Sequence, residues 1–413
     1  MKGYWPAAWP GEDGGPRRLQ AIEGHSLHAR SGQLTAQSRD VLGGIMCIQR
    51  DAGELYFQGA TIGPGSTGWV ERIDPVTLEC VARLDDLPAG PWWPGGMLAH
   101  ANGDLYVTQG RWSHRVSADL ELVASTELPR DRPYNSLLAL DDGRLVMKDM
   151  SSDDELPSQL VVLDPDSMAI THRFDLPEGS IARLSATGNT VCVVGMHSVF
   201  ALDVSDHVNE VGRIIYRTVR GQTFGWDAVL AGGSAWCLDN GLGTEAFSGS
   251  FVGQSSSAAP LHLVRLPWPP AFDGVAQLVD VCGAPGGIVA NPPIISTARE
   301  GGDDVAVGYD SGHGVMTAWR WLAGSDQLEP LWHRDQNHAA HSIHYAMSGE
   351  LVTFDYDLTR GVDQCVVLDI HTGEELGRVD TGSPIQSVVF PCPGWGRDCY
   401  VLSFTTLTRI AVR

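Results

Sequence analysis

A glycine that opens a short apolar run returns eight times along this chain, and no other feature restricts its fold as much. The runs are Gly53-Glu-Leu-Tyr-Phe, Gly103-Asp-Leu-Tyr-Val, Gly143-Arg-Leu-Val-Met, Gly188-Asn-Thr-Val-Cys, Gly233-Ser-Ala-Trp-Cys, Gly302-Asp-Asp-Val-Ala, Gly349-Glu-Leu-Val-Thr and Gly396-Arg-Asp-Cys-Tyr. Six of the seven intervals between these glycines span 40 to 50 residues, the length of one four-stranded antiparallel unit in a radial array. The third unit shows the grammar most clearly. Residues 136–140 and 144–148 read as strands a and b around Asp141-Asp-Gly, 159–163 as strand c, and 169–174 as strand d after the turn Asp164-Pro-Asp-Ser.

The expected fold is therefore all-β: a single-domain β-propeller of eight blades, or seven if one weak repeat is discounted. Residues 1–30 read as an N-terminal extension and 31–413 as the propeller. The last unit runs out of chain at 408–412, one outer strand short, and the segment from Gly32 through Arg39 is expected to supply that strand and close the ring. A closed array adds core with every unit, so 413 residues fit one domain. The one long interval, between Gly233 and Gly302, carries a glycine- and serine-rich insertion at about 241–260 between strands b and c of the fifth blade. Such a tract buries no core of its own; it is either a lid over a pocket or a surface excursion.

A net charge of −22 repels phosphate backbones and anionic lipid, and the densest basic cluster, Arg17-Arg18, is too short to reverse that. Neither nucleic acid nor membrane is expected as a partner. The first ten residues lack the apolar stretch of a secretory signal, and eight cysteines without a Cys-x-x-Cys suit a cytoplasmic protein with reduced thiols. Only Cys392 and Cys399, flanking a turn, are placed to pair.

In a propeller the starts of strands a and the ends of strands b meet on one face, around the axis, and the insertion belongs to that face. Strand-a starts there include Trp93, Asn135, Arg183, Trp226, Asp227 and His341; strand-b ends include Lys148, Asp239 and Asp355. Asp227, between aromatic residues in Phe224-Gly-Trp-Asp, is expected to act as general acid or base, or else to bond a neighbouring blade. Asp239 is its companion in the same blade, and two such carboxylates either divide acid and base roles or hold a divalent cation. His341, from the run Asn337-His-Ala-Ala-His-Ser-Ile-His, is the counterpart base, with His344 on the opposite side of the strand. Asn135, Arg183, Trp226, Trp93, Lys148 and Asp355 are expected to bind substrate, Arg183 and Lys148 as cations for an anionic group or as internal counter-ions. His313, in Asp310-Ser-Gly-His-Gly, is a second, independent histidine.

The third unit, Tyr134 through Asp149, resembles a blade of the gluconolactonase and strictosidine-synthase-like propellers and of the pyrroloquinoline-quinone-type repeat. The first resemblance implies a calcium ion held on the axis by Asn135 and Asp227, although that group has six blades. Quinoprotein dehydrogenases are similar in blade number, yet their tryptophan docking signature does not recur and no Cys-x-x-Cys-His is present, so neither haem nor quinone is expected. Paired Gly-His and Trp-Asp signatures of scaffold propellers are missing too. The functional expectation is an enzyme that hydrolyses or eliminates a small organic molecule by acid–base or metal-assisted chemistry. Two alternatives stand beside it: a lyase, isomerase or cyclase using an aspartate proton donor on an apolar substrate, and a non-catalytic binding propeller.

Overall fold

Left-handed backbone is what the repeated glycine provides. Gly53, Gly103, Gly143, Gly188, Gly233 and Gly349 all have φ between +63° and +96°, and at Gly53, Gly188 and Gly233 a Cβ would meet nothing within 4 Å. The demand is thus conformational rather than steric: each glycine turns the chain from strand a into strand b, where an L side chain is disfavoured.

The structure, a computed structural model, describes residues 2–255, 257–297, 304–321 and 327–413; the repeat at Gly302 begins outside the described residues. Eight antiparallel sheets follow one another in chain order, so the fold is an eight-bladed propeller. Blades 1 to 7 run over residues 44–87, 94–127, 134–175, 185–215, 229–285, 294–335 and 343–380. Blade 8 takes three strands from 392–412 and its outermost strand from the N-terminal side: Leu34–Asp40 lies antiparallel to Thr406–Val412, with Leu34 opposite Val412 and Asp40 opposite Thr406. That closure leaves no open ring edge.

Burial follows the radial layout. Inner strands such as Gly44–Gln49 and Pro94–Ala99 are buried at every position because blades pack on both of their faces. Outer strands such as Cys80–Leu87 and Ile170–Asp175 alternate between exposed and part-buried residues. All eight cysteines are free: Cys392 sits opposite Tyr400 rather than Cys399, so that pair is not a disulfide.

The N-terminal segment crosses the hub as far as Ile22, and beyond it Arg30 reaches the outer turn of blade 7 at Asp369 and Glu374. An innermost strand offers the axis a row of backbone groups with no further strand to pair with, and buried N–H groups need partners. The N-terminal segment supplies them blade by blade. Trp9 O accepts from Gln49 N (2.8 Å), Pro16 O from Ala186 N (2.7 Å), Arg17 O from Leu230 N (2.9 Å) and Gln20 O from His344 N (2.6 Å). Ala21–Ile22 then adds a short parallel strand to the inner edge of blade 7. Trp9, Arg18 and Leu27 are fully buried.

Candidate functional site

The axial segment carries charge into the hub. Arg18 bonds Glu12, donates to Asp13 Oδ2 at 2.7 Å and to Leu184 O at 2.8 Å, and lies 3.7 Å from Asp227 Oδ2. Arg183 donates to Glu12 Oε1 at 2.8 Å and to Gly95 O, while its backbone N–H donates to Asp227 Oδ1 at 2.6 Å. Buried charges persist only when paired in this way. Asp13, Arg18 and Gln20 all hold positive φ (52°, 54° and 52°), a conformation that costs free energy in non-glycine residues and collects at functional positions.

His341 completes the group. Its Nδ1 lies 2.9 Å from Asp13 Oδ1, and its ring stacks on Phe390 with centroids 3.9 Å apart; the Arg183 guanidinium covers Phe390 at 4.7 Å. Burial raises the Asp13 carboxyl, but His341 and Arg18 outweigh it and hold Asp13 below the usual carboxylate range. With Nδ1 turned to Asp13, Nε2 is the nitrogen left for a ligand.

Above this floor opens a cavity of about 650 Å³, within the range of small-molecule sites. Its walls are largely aromatic and aliphatic: Trp92, Trp93, Trp226, Phe247, Phe390 and Phe404 line it with Ile45, Ile385 and Val389. Trp93 meets Trp92 and Phe404 edge-on, and Phe404 continues to Phe247 at 6.2 Å. The glycine- and serine-rich insertion forms part of the roof through Thr244, Glu245, Phe247, Gly249 and Phe251. Gln386 pins it, accepting from Phe251 N and donating its own N–H to Gly249 O, both at 2.8 Å.

Six of the residues singled out from sequence share this cavity: Trp93, Asn135, Arg183, Trp226, Asp227 and His341. Three do not line it. Asp239 accepts from His262 N and Nδ1 (2.6 Å each) and from Gln222 (2.7 Å), so it fastens strand c of its own blade. Asp355 pairs with Arg378 (2.6 Å) and accepts Asn337 N (2.8 Å). Lys148 lies behind Asn135, donating to its Oδ1 at 3.1 Å and to Ser180 O at 2.9 Å. His344 packs away from the cavity and, like His338, is pushed down by burial, to about 4 and about 3 respectively. Sequence reasoning passed over Glu12, Asp13 and Arg18; the signal was a dense set of charges in a glycine- and proline-rich tract that reads as solvated loop.

Asn135 and Asp227 do not fit the calcium ion that the six-bladed resemblance implies. Lys148 occupies the carbonyl oxygen of Asn135 and Arg18 lies beside Asp227, so protein donors already face both. Asp13, Asp227 and His341 have ligand atoms within 4.8 Å of one another, but the guanidinium of Arg18 bonds the first and lies beside the second.

Burial pushes the Lys148 ammonium down to about 7, against the pull of Asp149 and Asp227. Between about pH 7 and 10 the unfolded chain then binds a proton that the folded chain lacks, so this group makes stability rise with pH across that window. The stability of the wild type relative to Lys148→Met is expected to increase by more than about 1 kcal/mol from pH 7 to 10 in denaturant titrations. A pH-independent difference would contradict a neutral buried lysine.

No family model matches the chain, and no curated protein does. Solved structures do. The quinohemoprotein alcohol dehydrogenase from Comamonas testosteroni aligns with a TM-score of 0.68 at 12% identity, over 98% of this chain and 80% of that one. BamB from Moraxella catarrhalis aligns at 0.58 and 13% identity, over 92% and 97%. The computationally designed Ika8 protein aligns at 0.58 and 12%, over 91% and 98%. The likeness is one of fold. It extends to the propeller architecture alone, and brings over neither the quinone nor the haem of that dehydrogenase.

Proposed function

We propose that this propeller is an enzyme that moves a proton on a small organic substrate with an apolar body, held in the axial cavity, with His341 as the acid–base group and Asp13 as the residue that orients it. The observation that carries this reading is the His341–Asp13 contact of 2.9 Å at the base of an aromatic-walled cavity. An Asp13 oxygen 2.9 Å from Nδ1 favours the ring proton on that nitrogen, and the neutral ring then presents a bare Nε2 to take a proton from substrate carbon or hydroxyl. The imidazolium formed is stabilised by the same carboxylate and returns the proton to the product. Asp227 has one oxygen on the Arg183 N–H and the other beside Arg18; its part is to fix the floor rather than to exchange protons. The largely apolar lining offers few groups to hold an attacking water, which favours elimination or isomerisation over hydrolysis.

A second reading, a binding propeller without turnover, draws on the same ion network, since a floor of buried, mutually charged groups also suits a rigid receptor. Both readings require the cavity. Calorimetric titration with a panel of aromatic and terpenoid alcohols and acids is expected to find at least one ligand whose affinity falls by about tenfold or more in Ala290→Trp, which fills the chamber from its wall. Binding that survives this substitution in a folded variant would place the ligand elsewhere.

A further inference from the structure

We propose that Cys282, Asp310 and His313 form a binding site for a thiophilic divalent cation, zinc foremost. The site lies between blades 5 and 6, away from the cavity floor, and stands independently of the function proposed above. Cys282 comes from the outer strand Gln277–Pro285, Asp310 ends the strand Asp304–Asp310, and His313 sits in the turn that follows.

Both other groups converge on one oxygen. His313 Nδ1 is 2.8 Å and Cys282 Sγ 3.7 Å from Asp310 Oδ2, and the three ligand atoms lie within 4.8 Å of one another. Tetrahedral zinc, with bonds of about 2.0 Å to nitrogen and oxygen and 2.3 Å to sulfur, needs edges of about 3.3 Å (N to O) and 3.6 Å (S to O). Those two edges therefore need to change by about half an ångström at the histidine and less at the cysteine, and the sulfur–nitrogen edge closes from a separation within 4.8 Å.

The carboxylate is held ready. Asp310 is fully buried, and its Oδ1 accepts from Gly312 N (3.0 Å), His313 N (3.1 Å) and Ile288 N (3.3 Å), which turns Oδ2 toward the other two groups. Orientation of a ligand by such outer bonds is a regular property of metal sites. Gly287 keeps the approach clear, since a Cβ there would collide with Oδ2. Six of the eight cysteines are buried and Cys80 is exposed; among the described residues only Cys282 has both a carboxylate and an imidazole in reach.

Thiolate with imidazole selects zinc and its neighbours over calcium and magnesium. Three protein ligands, two of them reached by solvent, leave a fourth position to water. On binding, the thiol gives up its proton to solvent, and the imidazole coordinates through Nδ1 with its proton on Nε2. The cation thereby replaces two hydrogen bonds into Oδ2 with two bonds to itself, and affinity rises with pH. The same loop holds the cavity roof, because Gly253 N donates to Gly312 O at 2.8 Å; a bound cation would stiffen that anchor.

Cobalt(II) is the probe, because thiolate coordination gives it a charge-transfer absorption band. The expected result is a band that saturates at one equivalent, is displaced by zinc, persists in Cys80→Ser and disappears in Cys282→Ser, with His313→Ala binding about tenfold more weakly or worse. Circular dichroism of each variant confirms that the propeller is intact. Absence of the band at one equivalent, or its persistence in Cys282→Ser, would overturn the proposal.

Discussion

Replacing Arg18 by alanine is expected to destabilise the folded chain by about 3–5 kcal/mol, the range for breaking a buried ion network by removing one partner. The guanidinium is fully buried and serves Glu12, Asp13 and Leu184 O while lying 3.7 Å from Asp227. Without it Arg183 still reaches Glu12, but Asp13 and Asp227, both buried, lose their arginine. Lysine in its place recovers only part of the loss, since one ammonium cannot span the same acceptors. Denaturant unfolding gives the number directly. A loss below about 1 kcal/mol, the value of an exposed pair, would mean that the N-terminal segment is a loose appendage and not the hub of the propeller.

The second large effect is on turnover. In His341→Gln the proposed proton transfer is expected to slow by about 10²- to 10⁴-fold in kcat, with KM little changed, because glutamine still packs on Phe390 and still bonds Asp13. Asp13→Asn is expected to impair the same step by another route. An amide that donates toward Nδ1 reverses the tautomer and leaves Nε2 protonated when it should accept. A drop confined to KM in both variants would assign these residues to binding alone.

The parts of this structure legible in the sequence are those with local causes. A left-handed residue is needed at six of the a-to-b turns, so glycine recurs there and the blade count can be read from its spacing. The missing strand of blade 8 is visible as a deficit at one end of the chain and a surplus at the other, and Leu34–Asp40 fills it. The insertion at 241–260 is visible through its length and composition.

What stayed hidden has distant causes. Glu12 meets Arg183 across 171 positions, and Asp13 meets His341 across most of the chain, and no local pattern around residues 12–18 distinguishes buried charges from solvated ones. The strand-b acids misled for a related reason. Asp149, Asp239 and Asp310 each use an oxygen to accept backbone N–H groups of neighbouring loops or strand starts. Position at a strand end brings a carboxylate to the right face of the propeller, but this backbone demand turns it into the wall rather than into the cavity. Lys148 and Asp355 are likewise at the face and not in the chamber, each satisfied by its own blade and the neighbouring linker.

The central claim is that the axial cavity transforms its ligand at His341. Wild-type protein and His341→Gln should be incubated in parallel with a library of apolar-bodied alcohols, acids, esters and ketones, with bound and consumed compounds read by mass spectrometry. The account predicts a compound that both proteins bind and only the wild type converts to a product; a cavity ligand that the wild type returns unchanged, or one that both convert at equal rates, would contradict it.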